Sequence, residues 1–161
     1  MYELIKITDS SMYFSCPSKM GLYVDGSDAY LIDSGNNKDA AKKALRALEE
    51  MGLSLKAVLV THSHADHIGG CNFLQEKTGC RIFARGIEAA FTRFPILEPS
   101  YLYGANPPDE LRHKFILASP SRPEEFSLPD GVVPFDLPGH SFDMTGYKMP
   151  DGTVFIGDAL S

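Results

Sequence analysis

Ala57, Val58, Leu59 and Val60 form a continuous apolar run that leads straight into Thr61, His62, Ser63, His64, Ala65, Asp66, His67, Ile68, Gly69 and Gly70. Nothing else in the 161-residue chain restricts its fold so strongly. A short run without polar alternation suits a strand buried on both faces, so the histidines are expected at that strand's C-terminal end. His62 and His64 are two apart and, in an extended loop, point the same way. Asp66 and His67 follow after a turn and face a second position. Four ligand-type side chains thus converge within six residues. Imidazole nitrogen and carboxylate oxygen both bind zinc at ~2.0–2.2 Å, and the mixture of neutral and anionic donors suits divalent first-row metals. A closed structural site would draw on cysteines instead. Cys16, Cys71 and Cys80 are an odd, sparse set without CxxC spacing. They read as reduced thiols, Cys71 as a small packed side chain.

The elements around this motif alternate. Short β-type runs at Leu4, Ile5, Lys6 and Ile7, at Gly21, Leu22, Tyr23 and Val24, and at Ala29, Tyr30, Leu31 and Ile32 predict an antiparallel meander. Asn36 or Asn37 caps a helix whose apolar face carries Ala40, Ala41, Ala44, Leu45, Leu48 and Met51, and Gly52 ends it. A second short helix is expected over residues 70–77, stopping at Gly79, and Arg81, Ile82, Phe83 and Ala84 read as the next strand. Residues 94–129 hold seven prolines, at positions 95, 99, 107, 108, 120, 123 and 129. That segment predicts a surface insertion or lid with short helical turns, and Phe91, Phe94, Tyr101 and Tyr103 are its candidate pocket walls. Strand character returns at Val132, Val133, Pro134 and Phe135, and again after a hairpin turn at Asp151 and Gly152. No repeat, low-complexity stretch or linker divides the chain, so one domain over residues 1–161 is expected.

Four ligands from one loop do not complete two metal spheres. His140, after Pro138 and Gly139, and Asp158, after Gly157, stand at the ends of the later strands and are the further candidates. Asp33 also ends a strand and reads as a carboxylate that orients the histidine loop from behind. His113 reads as a solvated surface residue.

The histidine motif matches the HxHxDH signature of the metallo-β-lactamase superfamily, and residues 31–35, 138–140 and 157–158 match its accompanying motifs in order. The chain resembles that family over nearly its whole length. The resemblance implies an α/β (α+β) fold, a four-layered αββα sandwich with the metals at one edge of its two sheets. It further implies His62, His64 and His140 on a first metal, Asp66 and His67 on a second, and Asp158 bridging them. Zn2+ in both sites is the expected cofactor, with iron or manganese as alternatives. Flavodiiron oxygen reductases of the superfamily carry glutamate where this chain has His64, which disfavours a redox diiron role. The family pattern continues beyond Asp158 with further strands, a helix and a last histidine for the second metal, whereas this chain stops three residues later. It is therefore expected to be truncated at the C-terminus. After His140 the family often has Thr-Pro-Gly-Ser, and here the chain reads Ser141, Phe142, Asp143, Met144.

The expected activity is hydrolysis of a small-molecule ester, thioester or lactone by metal-activated water, as in the hydroxyacylglutathione hydrolase-like branch. Asp66 would act as the catalytic group as well as a ligand. The alternatives are a mononuclear iron enzyme like the persulfide dioxygenases, and a non-catalytic module that pairs as a homodimer to cover apolar surface. A net charge of -6 with dispersed Lys and Arg offers no stripe for nucleic acid. The start of the chain has neither a basic segment nor a long apolar run, so a cytoplasmic protein without membrane contact is expected.

Overall fold

A computed structural model describes residues 3–113 and 116–160; Met1, Tyr2, Lys114, Phe115 and Ser161 lie outside it. Strands β1 (Glu3–Lys6), β2 (Ser11–Ser15), β3 (Met20–Asp25) and β4 (Asp28–Ile32) run antiparallel in sequence order. The chain then crosses over through helix α1 (Lys38–Glu50) to β5 (Ser54–Leu59), which lies parallel to β4. A turn of helix, α2 (Ala65–Ile68), and helix α3 (Cys71–Thr78) lead to β6 (Arg81–Phe83), parallel to β5. Helices α4 (Gly86–Arg93) and α5 (Leu97–Tyr103) and a 3₁₀ turn (Asp109–Leu111) precede β7 (Pro123–Glu124), the parallel edge of this seven-stranded sheet. Strands β8 (Val133–Asp136), β9 (Thr145–Lys148) and β10 (Val154–Phe155) form a second, antiparallel sheet.

Each face of the large sheet has its own core. On one side Leu22, Leu31, Val58 and Ile82 pack with Ala40, Ala41, Ala44 and Leu48 of α1 and Leu74 of α3. On the other, Tyr23, Ile32, Ala57, Leu59 and Phe83 pack against Tyr147 and Met149 at the small sheet. Ala57, Val58, Leu59 and Val60 are all buried, which explains why no polar alternation interrupts that run. The fold is therefore the mixed α/β sandwich expected from the sequence. On the outer row of the small sheet, Val133 and Val154 are 53% and 46% exposed.

Local chemistry fixes most boundaries. Asn37 caps α1 by accepting hydrogen bonds from the Asp39 and Ala40 N–H groups, and Gly52 (φ +72°) leaves the helix in the left-handed conformation. Met51, expected on the buried face, is 43% exposed because it is the C-cap, past the last helical turn. Strand β2 lies between the first two runs read from the sequence; its buried residues, Ser11 and Phe14, do not alternate, so it carries no period-2 signal. Helix α4 was not foreseen either, since Arg85 at its N-cap makes no side-chain capping bond. The proline-rich segment does more than cover the surface: it supplies α5 and the edge strand β7, a place where Pro123 breaks no ladder. All three cysteines are free, and burial pushes the Cys71 thiol up to about 12. His113 is exposed, as expected.

Candidate metal centre

The six predicted donors meet at one edge of the sandwich. Strand β5 ends at Leu59 and releases Thr61, His62, Ser63 and His64; the short α2 then turns Asp66 and His67 back toward the same point. The ring centroid of His62 lies 4.6 Å from that of His64, 4.1 Å from His67 and 4.8 Å from His140. The ligand atoms of His62, His64 and His140 all fall within 4.8 Å of one another, and His140 Nε2 is 3.2 Å from His64 Nδ1. On the other flank, His67 Nε2 is 3.7 Å from Asp66 Oδ2 and 3.4 Å from Asp158 Oδ1. Asp158 reaches both sides, since its Oδ2 stands 4.0 Å from His140 Nε2. No predicted donor falls outside the cluster.

His140 and Asp158 come from the small sheet, which is fastened to the histidine loop. The Thr145 N–H donates to the Thr61 carbonyl at 2.8 Å, and the Tyr147 hydroxyl donates to the Val60 carbonyl at 2.6 Å. Gly157 packs so closely that a Cβ there would lie 2.6 Å from Thr61 Oγ1. The two glycines that close the motif have the same kind of reason. A Cβ on Gly69 would meet the Asn36 backbone at 2.5 Å, and one on Gly70 the Ser34 carbonyl oxygen at 2.5 Å. The turn after His67 thus packs directly against the segment following β4.

Asp33 acts from behind, as its position at a strand end suggested. It is buried with φ +63°, a left-handed conformation that aspartate tolerates. Its Oδ1 accepts from the Thr61 N–H at 2.7 Å, and its Oδ2 accepts from the Thr61 hydroxyl at 2.7 Å and from His67 Nδ1 at 2.8 Å. Asp33, His62 and His67 also lie close enough to form a metal-sized group. With both oxygens engaged, however, Asp33 is better placed to orient ligands than to be one. The Thr61 hydroxyl proton goes to Asp33, so the 3.0 Å contact between Thr61 Oγ1 and His62 Nδ1 has the imidazole donating. That tautomer leaves the lone pair on His62 Nε2, which is buried and has no hydrogen-bond partner among the described residues.

The electrostatics divide the histidines. Burial, then the neighbouring His67, His64 and His140, hold His62 down to about 2, so it stays neutral and ready to ligate. Burial and then His140 lower His64. Burial would also lower His67, but Asp33, Asp66 and Asp158 outweigh it and raise the ring to about 9. Metal must displace the proton on His67 Nε2. Apparent zinc affinity is therefore expected to climb by about tenfold per pH unit from neutrality until the pH passes about 9. A chelator competition titration across that range checks this. In the metal-free chain the sign is opposite. The raised His67 contributes stability that is fully present below its ordinary value of 6.5 and lost as the pH rises through about 9.

Three contributors escaped the sequence reading. Glu88 of α4, buried, accepts from the Ser63 N–H at 2.8 Å, the Ser63 hydroxyl at 2.5 Å and the Asp143 N–H at 3.1 Å, tying the two histidine-bearing loops together. Glu98 of α5 accepts from the Ala65 N–H at 3.1 Å, and burial raises it to about 7. The Ser18 hydroxyl donates to Asp66 Oδ2 at 2.9 Å. A glutamate on an amphipathic helix and a serine in a turn carry no sequence signal for such roles. Of the four candidate pocket walls, Phe91 and Tyr101 line a cavity beside His64 and His140, while Phe94 and Tyr103 are exposed elsewhere.

The family model of the metallo-beta-lactamase superfamily matches residues 15–160. The chain belongs to that superfamily. A hydroxyacylglutathione hydrolase of Rhodopseudomonas palustris is 42% identical over 149 residues, covering 91% of this chain and 50% of the relative. One from Methylobacillus flagellatus is 32% identical over 133 residues, 82% of this chain and 43% of the relative. A mutant metallo-beta-lactamase from Cronobacter sakazakii superposes with a TM-score of 0.73 at 20% identity, covering 96% of this chain and 62% of that one. A subclass B3 metallo-beta-lactamase from a soil metagenome library gives 0.67 at 21% identity, with 94% and 60% covered. The chain thus spans about half the length of the curated relatives it matches, and the structural likeness is one of fold. Metallo-beta-lactamase superfamily members generally bind zinc, and the donor set here is of the kind that would hold it. No described helix is long and apolar enough to cross a membrane.

Proposed function

We propose that this metallo-beta-lactamase superfamily chain carries the two-metal centre of a hydrolase acting on a small-molecule thioester, ester or lactone. The observation that carries this reading is the buried His62 Nε2, without a hydrogen-bond partner among the described residues, in a side chain common to both metal-sized groups of the cluster. A polar atom left unpaired at such depth costs roughly 1–3 kcal/mol, a cost that metal coordination would remove. His62, His64 and His140 would hold one ion and Asp66 and His67 the other, with Asp158 between them. Zn2+ suits this nitrogen-rich set. When bound, such a pair would lower the pKa of water toward ~7 and polarise the carbonyl under attack.

The chain's own groups would do the rest. Asp66, steered by the Ser18 hydroxyl, would orient the attacking water and accept its proton. Asp33 would hold His67 in the tautomer that presents Nε2. Glu88 would keep the His64 and His140 loops in register. The 42%-identical hydroxyacylglutathione hydrolase supports the thioester among the three bonds.

Dialysis against a strong chelator should abolish hydrolysis in a screen of thioesters, lactones and aryl esters, and zinc should restore it. Activity that survives metal removal would refute the reading. Recovery only with iron, accompanied by oxygen consumption, would favour an oxygenase.

A further inference from the structure

Two cavities flank the histidine cluster. One, of about 260 Å3, is walled by Phe91, Tyr101, Leu102 and Phe142 and floored by Ser63, His64 and His140. The Phe142 ring stands 5.7 Å from Phe91 and 5.2 Å from Tyr101, so three aromatic rings surround the space. Phe142, Tyr101 and Leu102 are nevertheless 49%, 65% and 54% exposed, an apolar grouping that a folded chain leaves open where something binds. Among the described residues, the carboxyl groups in the wall are those of Glu88 and Glu98, and it holds no Lys or Arg. The other cavity, of about 390 Å3, lies on the Asp66, His67 and Asp158 flank and combines Lys19 and Ser18 with apolar Ile7, Val154 and Phe155.

We propose that the cavity beside His64 and His140 is a specificity pocket for an uncharged, ring-sized apolar arm of the substrate, and that it rejects arms ending in a carboxylate. The proposal rests on the hydrolase reading for its chemistry and names the class of substrate. Size is the first argument: 260 Å3 lies just below the range of cavities that enclose a whole drug-sized ligand, so it suits one arm of a molecule. Charge is the second. A carboxylate entering here would lose water and gain no Lys or Arg among the lining residues. It would also face Glu88, whose oxygens are already engaged by Ser63 and Asp143, and Glu98, bonded to the Ala65 N–H. A neutral ring meets none of these costs and stacks edge-to-face on Phe142. Lys19, on the other flank, is a cation that this pocket's lining lacks.

The test uses the 161-residue chain and two readouts. In the first, binding of 4-fluorophenylacetamide is followed by fluorine NMR, with and without zinc, for the parent chain, Phe142→Ala and Glu98→Gln. The resonance should broaden with the parent and with Glu98→Gln, and this broadening should be lost in Phe142→Ala. In the second, zinc-loaded chain is given thioesters whose acyl or thiol arm ends in a phenyl ring or in a carboxylate. On at least one arm the ring should be favoured in kcat/KM by roughly tenfold or more, the selectivity expected of one apolar pocket. Glu98→Gln should narrow that gap and Phe142→Ala should collapse it. Equal or better turnover of the carboxylates on both arms, or an amide that does not bind, overturns the proposal. Binding that depends on Phe142, with no turnover of any thioester, ester or lactone, supports the pocket and refutes the hydrolase reading instead.

Discussion

Replacing His62 and His64 together by alanine is expected to strip the chain of metal and of any hydrolytic activity. The parent, purified without added metal, should carry about two equivalents of zinc by elemental mass spectrometry, as a two-metal site requires. Structural zinc contributes about 10–16 kcal/mol spread over four ligands, which is about 10²-fold in affinity for each and about 10⁴-fold for the pair. His62 is fully buried, so the exchange also opens a cavity. Circular dichroism must therefore accompany the metal analysis, and the half-buried His64→Ala alone provides the milder comparison. A folded double variant that keeps the parent's zinc would place the metal elsewhere and end the assignment of these residues.

The second large effect is expected at a residue that touches no substrate. Asp33→Ala removes the acceptor for the Thr61 N–H, the Thr61 hydroxyl and His67 Nδ1 in a single step. Breaking a buried pair of this kind costs about 3–5 kcal/mol, a large share of the about 5–15 kcal/mol that holds a domain together. Asp33→Asn is the gentler probe, because asparagine also accepts the positive φ found here. Its amide places a donor where two donors now arrive. Zinc affinity should fall by about 10–100-fold, the usual effect of losing a carboxylate behind a metal-bound histidine. His67 should at the same time titrate below its present value of about 9, which NMR can follow in the metal-free chain. Loss of stability with an unmoved His67 would make Asp33 a packing residue only.

The sequence disclosed the centre better than its surroundings, for physical reasons. His62, His64, Asp66 and His67 are close in sequence, and His140 and Asp158 are marked by strand ends and glycines; all six meet in space. Strand β5 was legible because it is buried on both faces, and α1 because Asn37 and Gly52 bracket an apolar stripe. What stayed hidden depends on long-range contact. Ser11 and Phe14 make a strand only by pairing with neighbours on both sides, which no alternation announces. Glu88 and Glu98 read as solvated helix residues until α4 and α5 fold over the loop at Ser63 and Ala65. Phe91 and Tyr101 belonged to a plausible group of aromatic walls, but nothing in their spacing separated them from Phe94 and Tyr103.

The donors are divided between the two sheets: four arrive on the loop after β5, and His140 and Asp158 arrive from the segments that flank β9 and β10. Ions held by both sets would act as rivets across the sandwich, in parallel with the Thr145 and Tyr147 hydrogen bonds. Opening the seam between the sheets and losing metal would then be one equilibrium. The melting temperature would become a reading of free metal concentration, and the metal-free chain would be the looser molecule.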